Sequence, residues 1–332
     1  MDPAPRPSPA HVVLLDGTLS TLERGWETSI GLTFRMLAAH AATRVYYEPG
    51  IQWRGWRAAP EVAAGVGVNR QIRRAYAHLA ANWRPGDRIF LMGYSRGAYA
   101  VRALAGMIDR MGLLRAEQLD SRRVRVAYHH YRTAPTSERA RRFRARHCHD
   151  DVVIDAVGVF DTVQAVGIRW PVLWRVVPEV HAFRSNRLGQ SVRHGFHALA
   201  ANETRRAFAP EVWRTHGART ATVEQVWFRG SHADVGGQVG VRPAARPLAN
   251  VPLTWMLGRM QEAGLPLPNG WRDAFPADPD APSVGTWRGF GPLFVSRRRR
   301  AMGVDASERI HPSLAFRPRR LRRPRMGDRK DA

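Results

Sequence analysis

The pentapeptide Gly93–Gly97, of sequence Gly-Tyr-Ser-Arg-Gly, constrains the fold of this 332-residue chain more than any other feature. The apolar run Arg88–Met92 before it predicts a buried strand that leads directly into the first glycine. After the second glycine, large or apolar side chains recur every four residues, which is typical of a helix with one buried face: Tyr99, Ala103, Met107 and Met111. A strand, a sharp turn and a helix in this order predict a three-layer α/β domain with a mainly parallel sheet.

The same pentapeptide has the pattern Gly-x-Ser-x-Gly, which in this context predicts a nucleophile elbow. Such a turn is so tight that the residues at positions 93 and 97 need to be glycine, because a Cβ there would meet neighbouring backbone. The elbow presents Ser95 at the edge of the sheet as a candidate nucleophile. The helix that follows directs backbone N–H groups, that of Arg96 included, towards a developing oxyanion.

A nucleophilic serine needs a base and an acid that orients the base. In an α/β-hydrolase, the acid and then the base follow the serine along the chain, each after a strand. Asp161 comes directly after the predicted strand Val152–Phe160, and His232 follows the predicted strand Val223–Phe228. These positions make Asp161 the candidate acid and His232 the candidate base. Each also has a plainer interpretation, as a residue that only caps a turn through hydrogen bonds.

Other residues compete for these roles. Asp234 lies two residues after His232 and is the alternative acid, and His311 is the alternative base. An oxyanion hole also needs a second backbone N–H beside the elbow. Gly17 or Thr18, at the end of the predicted strand His11–Leu15, is positioned to supply it.

The distribution of apolar and polar residues along the chain predicts one catalytic domain over residues 11–316. A flexible N-terminus at 1–10 and a basic disordered tail at 317–332 are expected on either side of it. Residues 115–150 and 165–193 are expected to form a cap or insertions. Further strand and helix predictions come from hydrophobic periodicity: a strand at Val45–Tyr47, and helices from Ser29 to Leu37, from Ile72 to Trp83, from His194 to Phe208 and from Leu253 to Met260.

The formal net charge is +24, and Lys330 is the single lysine, so the positive charge is almost entirely arginine. Such a surface attracts anions, which include anionic membranes, nucleic acid and acidic partners. We expect the run Arg297–Arg300 to be solvated. The single cysteine, Cys148, excludes an intramolecular disulfide. No zinc-ligand spacing, Walker loop or dinucleotide fingerprint occurs, so neither a metal nor a cofactor is expected.

The N-terminal residues lack the apolar stretch of a secretory signal, and no apolar run approaches the roughly 20 residues that a membrane-spanning helix needs. The protein is therefore expected to be cytoplasmic as synthesised. Export without a cleaved signal peptide is compatible with this sequence.

Several blocks together resemble the bacterial α/β-hydrolase-domain family that includes the type VI secretion phospholipase effectors. They are Leu15–Thr18, Gly93–Ala98 with Arg102–Gly106, Val159–Val163, His197–Ala200 with Glu203 and Arg206, and Gln225–Gly237. The similarity runs from about Val12 to Met260. It implies a serine esterase that acts on phospholipids, with Ser95 as the nucleophile, Asp161 as the acid and His232 as the base.

The sequence thus predicts a serine hydrolase that cleaves carboxylic esters, in particular those of phospholipids, through an acyl-enzyme. An esterase for small soluble esters is the first alternative. The second is a non-catalytic basic module that binds a membrane or nucleic acid. The charge does not choose between these partners, and nucleic acid is the less expected one. The sequence leaves the oligomeric state open.

Overall fold

The computed structural model describes residues 8–50, 66–163, 186–216, 221–288 and 291–314. Its centre is a seven-stranded sheet in the order β2-β1-β3-β6-β7-β8-β9, and every neighbouring pair in it is parallel. The strands of this sheet are β1 (Ala10–Leu15), β2 (Thr43–Glu48), β3 (Arg88–Tyr94), β6 (Ile154–Phe160), β7 (Val192–Ala200), β8 (Thr222–Phe228) and β9 (Glu308–Ile310). The short strands β4 (Leu113–Leu114) and β5 (Cys148–His149) form a separate antiparallel pair.

Helices cover both faces of the sheet, as the alternation within β1 requires. Val13 and Leu15 pack into the core on one face, whereas Val12 and Leu14 pack into the core on the other. The helices are α1 (Ser29–Ala38), α2 (Val66–Asn82), α3 (Arg96–Met111), α4 (Ser121–Thr133), α5 (Glu138–His147), α6 (His232–Gly236) and α7 (Arg246–Glu262). Helices α2 and α3 cover the first face, and α1 and α7 the second. The predicted three-layer α/β fold with a parallel sheet is confirmed.

Local signals in the sequence set several element boundaries. Helix α1 begins at Ser29 because the hydroxyl oxygen of Thr28 caps it, accepting a hydrogen bond from the Gly31 N–H. The region 115–150 contains α4 and α5, and Val124 and Ala127 of α4 join the core of the α2–α3 face.

The predicted helix from His194 to Phe208 is wrong, because Val192–Ala200 forms strand β7 at the interior of the sheet. The alanine, leucine and arginine residues of the predicted segment favour a helix, whereas Gly195 and Phe196 of the strand do not. Its pairing with strands on both sides outweighs that propensity, since buried positions in a central strand accept any apolar side chain that packs. The glycine-rich segment after β8 contains the short helix α6.

The tail at 317–332, residues 1–7 of the predicted flexible N-terminus and residues 165–185 of the second predicted insertion lie outside the described residues. Within the described residues, no helix is both long enough and apolar enough to cross a membrane.

Candidate active site

The turn after β3 has the strained geometry of a nucleophile elbow. Ser95 has φ 56° and ψ −119°, in a region that non-glycine residues rarely adopt. A Cβ on Gly93 would lie 2.5 Å from the Gly97 carbonyl oxygen, and a Cβ on Gly97 would lie 2.1 Å from the Leu15 carbonyl oxygen. Both contacts are with backbone, so only glycine fits at the two positions. The turn places Ser95 at the N-terminus of α3.

A hydrogen-bonded chain joins this serine to a histidine and an aspartate from two other strand ends. Nε2 of His232 lies 2.9 Å from Oγ of Ser95, and Nδ1 of His232 lies 2.6 Å from Oδ2 of Asp161. Asp161 follows β6, the sheet neighbour of β3, and His232 follows β8. The exposed fractions are 7% for Ser95, 4% for His232 and 0% for Asp161. The structure therefore brings together the three residues that the sequence singled out.

Asp161 is buried and ionised. Burial raises the pKa of this carboxyl, but the charge of Arg300 and the hydrogen bond from His232 outweigh burial and hold the pKa well below its usual range. Its second oxygen, Oδ1, accepts a hydrogen bond of 3.0 Å from the backbone N–H of Ala200, at the end of β7. An ionised Asp161 accepts the Nδ1–H of His232, which leaves Nε2 free to accept the serine proton.

Aromatic rings and a second carboxylate hold the His232 loop. The ring of His232 packs between Tyr94 and Phe208, with centroids 4.9 and 4.8 Å away. The backbone N–H of His232 donates to Glu203 at 3.2 Å. Burial raises the pKa of Glu203, but the hydrogen bond and charge of Arg205 outweigh burial and lower the pKa below its usual value. This carboxyl is therefore ionised.

The loop after β1 lies beside the nucleophile. A Cβ on Gly17 would come within 3.4 Å of the Ser95 Cβ. The Gly17 N–H, however, donates to Oδ1 of Asp16 at 2.7 Å, so this group already has an acceptor. Thr18 is the other candidate in this loop for pairing with the Arg96 N–H at the start of α3. The side-chain amide of Gln238 donates to the Thr18 carbonyl at 3.2 Å and fixes this loop against the His232 loop.

The alternative acid and base occupy other positions. Asp234 shapes the loop around His232: its carboxylate accepts from the backbone and hydroxyl of Ser231 at 2.7 and 2.8 Å, and from the Val284 N–H at 2.7 Å. The ring of His311 stacks on Phe228, with centroids 4.6 Å apart, and its Nδ1 accepts from Ser313. Neither side chain is hydrogen-bonded within the Ser95–His232–Asp161 chain.

His197 on β7 is not among the predicted site residues, yet it holds the backbone next to Asp161. Its Nε2 accepts the Thr162 N–H at 3.2 Å, next to Asp161, and the ring is fully buried. Burial, with the charge of Arg102, lowers the pKa of His197 to about 3, so the ring is neutral. In the sequence, His197 stands out only as part of the block His197–Ala200 of the family resemblance, which does not indicate what the side chain contacts.

The expectation of a solvated run at Arg297–Arg300 is wrong for two of the four arginines. Arg298 and Arg299 are exposed, but the Arg297 guanidinium donates to Thr286 and to the Gly291 carbonyl. Arg300 reaches Asp161. The sequence does not show which of the four arginines are buried, because their burial depends on partners that are distant along the chain. Within the described residues, no cluster of three His, Cys, Asp or Glu side chains could hold a metal ion.

A family model described as "T6SS, Phospholipase effector Tle1-like, catalytic domain" matches residues 10–259. The chain is also 34% identical over 149 residues to the uncharacterized protein YEL023C of Saccharomyces cerevisiae, an alignment that covers 37% of this chain and 22% of the yeast protein.

Two solved structures are similar. An uncharacterized protein from Pseudomonas aeruginosa has a TM-score of 0.46 and 18% identity, over 81% of this chain and 49% of that one. The Tle1 effector bound to the VgrG spike of the type 6 secretion system has a TM-score of 0.37 and 17% identity, over 69% of this chain and 51% of that one. The present chain spans about half the length of these two structures.

Proposed function

The chain belongs to the family of Tle1-like phospholipase effectors of the type VI secretion system, and from this premise we propose that it is a serine hydrolase that cleaves the carboxylic esters of phospholipids. The observation that carries the proposal is the hydrogen-bonded chain Ser95–His232–Asp161, with separations of 2.9 and 2.6 Å at the end of an elbow. Family membership supports a phospholipase-type hydrolase, and this geometry supports the acyl-enzyme route.

The reaction proceeds in two halves. Nε2 of His232 takes the Ser95 proton as Oγ attacks the ester carbonyl, and the N–H groups of Thr18 and Arg96 stabilise the oxyanion. The alcohol leaves with the proton from His232, and the acyl group stays on Ser95. Water then attacks this acyl-enzyme and gives a proton to His232, which returns it to Oγ of Ser95 as the carboxylic acid leaves. Asp161 holds the imidazole and stabilises its charged form throughout.

The surroundings of the site favour a lipid over a small soluble ester. Phe294 packs on Phe208 with centroids 5.3 Å apart, and Phe208 packs on His232. The two neighbours of Phe294 in sequence, Leu293 and Val295, are 70% and 75% exposed. Large apolar side chains held at the surface beside a reactive site are suited to contact with a lipid aggregate, and the net charge of +24 favours an anionic one.

The test compares two substrates. Wild-type protein is expected to release fatty acid from phosphatidylglycerol vesicles and p-nitrophenol from p-nitrophenyl butyrate, and Ser95→Ala to do neither. The double variant Leu293→Ser/Val295→Ser should lose more activity on vesicles than on the soluble ester. Val153→Ser is the control, since Val153 is 38% exposed and precedes β6, at the edge of the sheet opposite the site.

Each other outcome selects an alternative. Hydrolysis of the soluble ester without release of fatty acid from any vesicle would indicate an esterase for small substrates. Absence of both activities, with salt-sensitive binding to vesicles or nucleic acid that persists in Ser95→Ala, would indicate a non-catalytic basic module.

A further inference from the structure

Arg300 makes a two-pronged ion pair with the aspartate of the hydrogen-bonded chain. Its Nη1 lies 2.5 Å from Oδ1 of Asp161, and its Nη2 lies 2.8 Å from Oδ2. The Arg300 side chain is 4% exposed and that of Asp161 is 0% exposed. Arg300 also donates to the carbonyl oxygens of Ala200 and Phe208, at 2.8 and 2.5 Å. The guanidinium thus binds the carboxylate and two of the segments around it.

The carboxylate needs this partner for its orientation. Rotation of an aspartate carboxyl about its Cβ–Cγ bond has broad, shallow minima, so the side chain alone does not fix the plane of the two oxygens. Arg300 binds both oxygens in the parallel geometry that a planar guanidinium favours, and the Ala200 N–H holds Oδ1 from another side. With Oδ1 held in this way, Oδ2 faces Nδ1 of His232.

The carboxylate also needs this partner for its charge. A buried carboxylate without a compensating cation is costly, and removal of one member of a buried ion pair leaves the other unpaired. The His232 ring donates a hydrogen bond from Nδ1 to Asp161, but it carries a full positive charge only while its Nε2 holds the serine proton. In the resting enzyme Arg300 is therefore the permanent counter-charge of Asp161.

We propose that Arg300 is a positioning residue of the catalytic triad: it fixes the plane of the Asp161 carboxylate and so the orientation of the His232 ring. This inference rests on the proposed serine hydrolase function. The residue lies beyond position 259, where the family match ends, on the same segment as Phe294. The C-terminal part of this chain therefore completes a site whose other members lie within the matched domain.

The test uses Arg300→Lys and Arg300→Met in the full chain, with Arg299→Lys and Arg299→Met as matched controls, because Arg299 is exposed in the same segment. Hydrolysis of p-nitrophenyl butyrate is normalised to active sites titrated with a fluorophosphonate, which removes differences in the folded fraction. The lysine keeps the charge but cannot bind both oxygens. We expect kcat to fall about 10-fold in Arg300→Lys and about 100-fold in Arg300→Met, with KM nearly unchanged.

A purely structural role for Arg300 would not depend on the carboxylate it binds. The rate of fluorophosphonate labelling is therefore also compared between Asp161→Asn and Asp161→Asn/Arg300→Met. We expect the second substitution to add less than about threefold, because a positioning residue acts only through its partner.

The inference is overturned if Arg300→Lys has the same kcat as Arg299→Lys, or if Arg300→Met costs the same factor with and without the Asp161 carboxylate. The Lys comparison stands even if Arg300→Met fails to fold. Failure of this inference is distinct from failure of the proposed function. If the serine hydrolase chemistry is absent, the wild-type protein hydrolyses no ester, and if only the phospholipid substrate is wrong, the comparison on p-nitrophenyl butyrate is unaffected.

Discussion

Replacement of Asp161 by asparagine keeps the size of the side chain but changes what it can accept. The carboxylate receives four hydrogen bonds: one from His232, two from Arg300 and one from the Ala200 N–H. An amide has one oxygen and one NH2 group, so at least one of the present donors must face another donor. If the NH2 group faces Nδ1 of His232, the ring keeps its proton on Nε2 and cannot accept that of Ser95.

The size of the effect follows from these contacts. The wrong tautomer costs about 10⁴-fold in kcat when the same substitution is made in a serine protease triad, which is about 5.4 kcal/mol of transition-state stabilisation. Asparagine also leaves the buried Arg300 without its counter-charge, and breaking a buried ion pair costs about 3–5 kcal/mol of folding free energy. Asp161→Asn should therefore be both nearly inactive and markedly less stable.

Two measurements check this prediction: kcat/KM for p-nitrophenyl butyrate and urea unfolding. The control is Asp150→Asn, because Asp150 forms an exposed ion pair with Arg144 and should change neither quantity by more than a small factor. A kcat/KM for Asp161→Asn within about tenfold of wild type would refute the orienting role of Asp161. Unchanged stability would refute the importance of its charge for Arg300.

Two further predictions concern the elbow and the buried histidine. Gly97→Ala should abolish fluorophosphonate labelling and lower the urea midpoint, because the new Cβ would lie 2.1 Å from the Leu15 carbonyl oxygen; a labelled variant of wild-type stability would contradict this. The pKa of His197 is lowered to about 3 in the fold from the ordinary 6.5, so the unfolded chain binds the proton first and stability is lost as the pH falls below 6.5. Its contribution to the unfolding free energy should drop by about 1.4 kcal/mol between pH 7.5 and 5.5, measured as a shallower pH dependence in His197→Gln; an equally steep dependence in that variant would contradict it.

The residues that sequence could identify are those whose role follows from neighbours along the chain. Ser95 is flanked by its own strand, helix and glycines, and Asp161 and His232 each end a strand that hydrophobicity alone marks. Parallel strands bring their carboxyl ends to one edge of a sheet, so residues at those ends meet there. The positions of the predicted strand ends were therefore enough to identify Asp161 and His232 as partners of Ser95.

The features that sequence missed depend on contacts between distant segments. Arg300 lies 139 residues from Asp161 and stands in a run of four arginines, two of which are exposed. The segment predicted as a helix from His194 to Phe208 mixes helix formers with Gly195 and Phe196, and the pairing of β7 with β6 and β8 shows that its first part is a strand. The roles of Arg300 and His197 arise from tertiary packing, which local propensity does not encode.

The covalent step at Ser95 is tested most directly by mass spectrometry after reaction with a fluorophosphonate. We expect a single adduct on the peptide that contains Ser95, formed in the wild type and absent from Ser95→Ala. Release of fatty acid from vesicles should disappear in the same variant. An adduct on another residue, or hydrolysis that persists in Ser95→Ala, would contradict the assignment of Ser95 as the nucleophile.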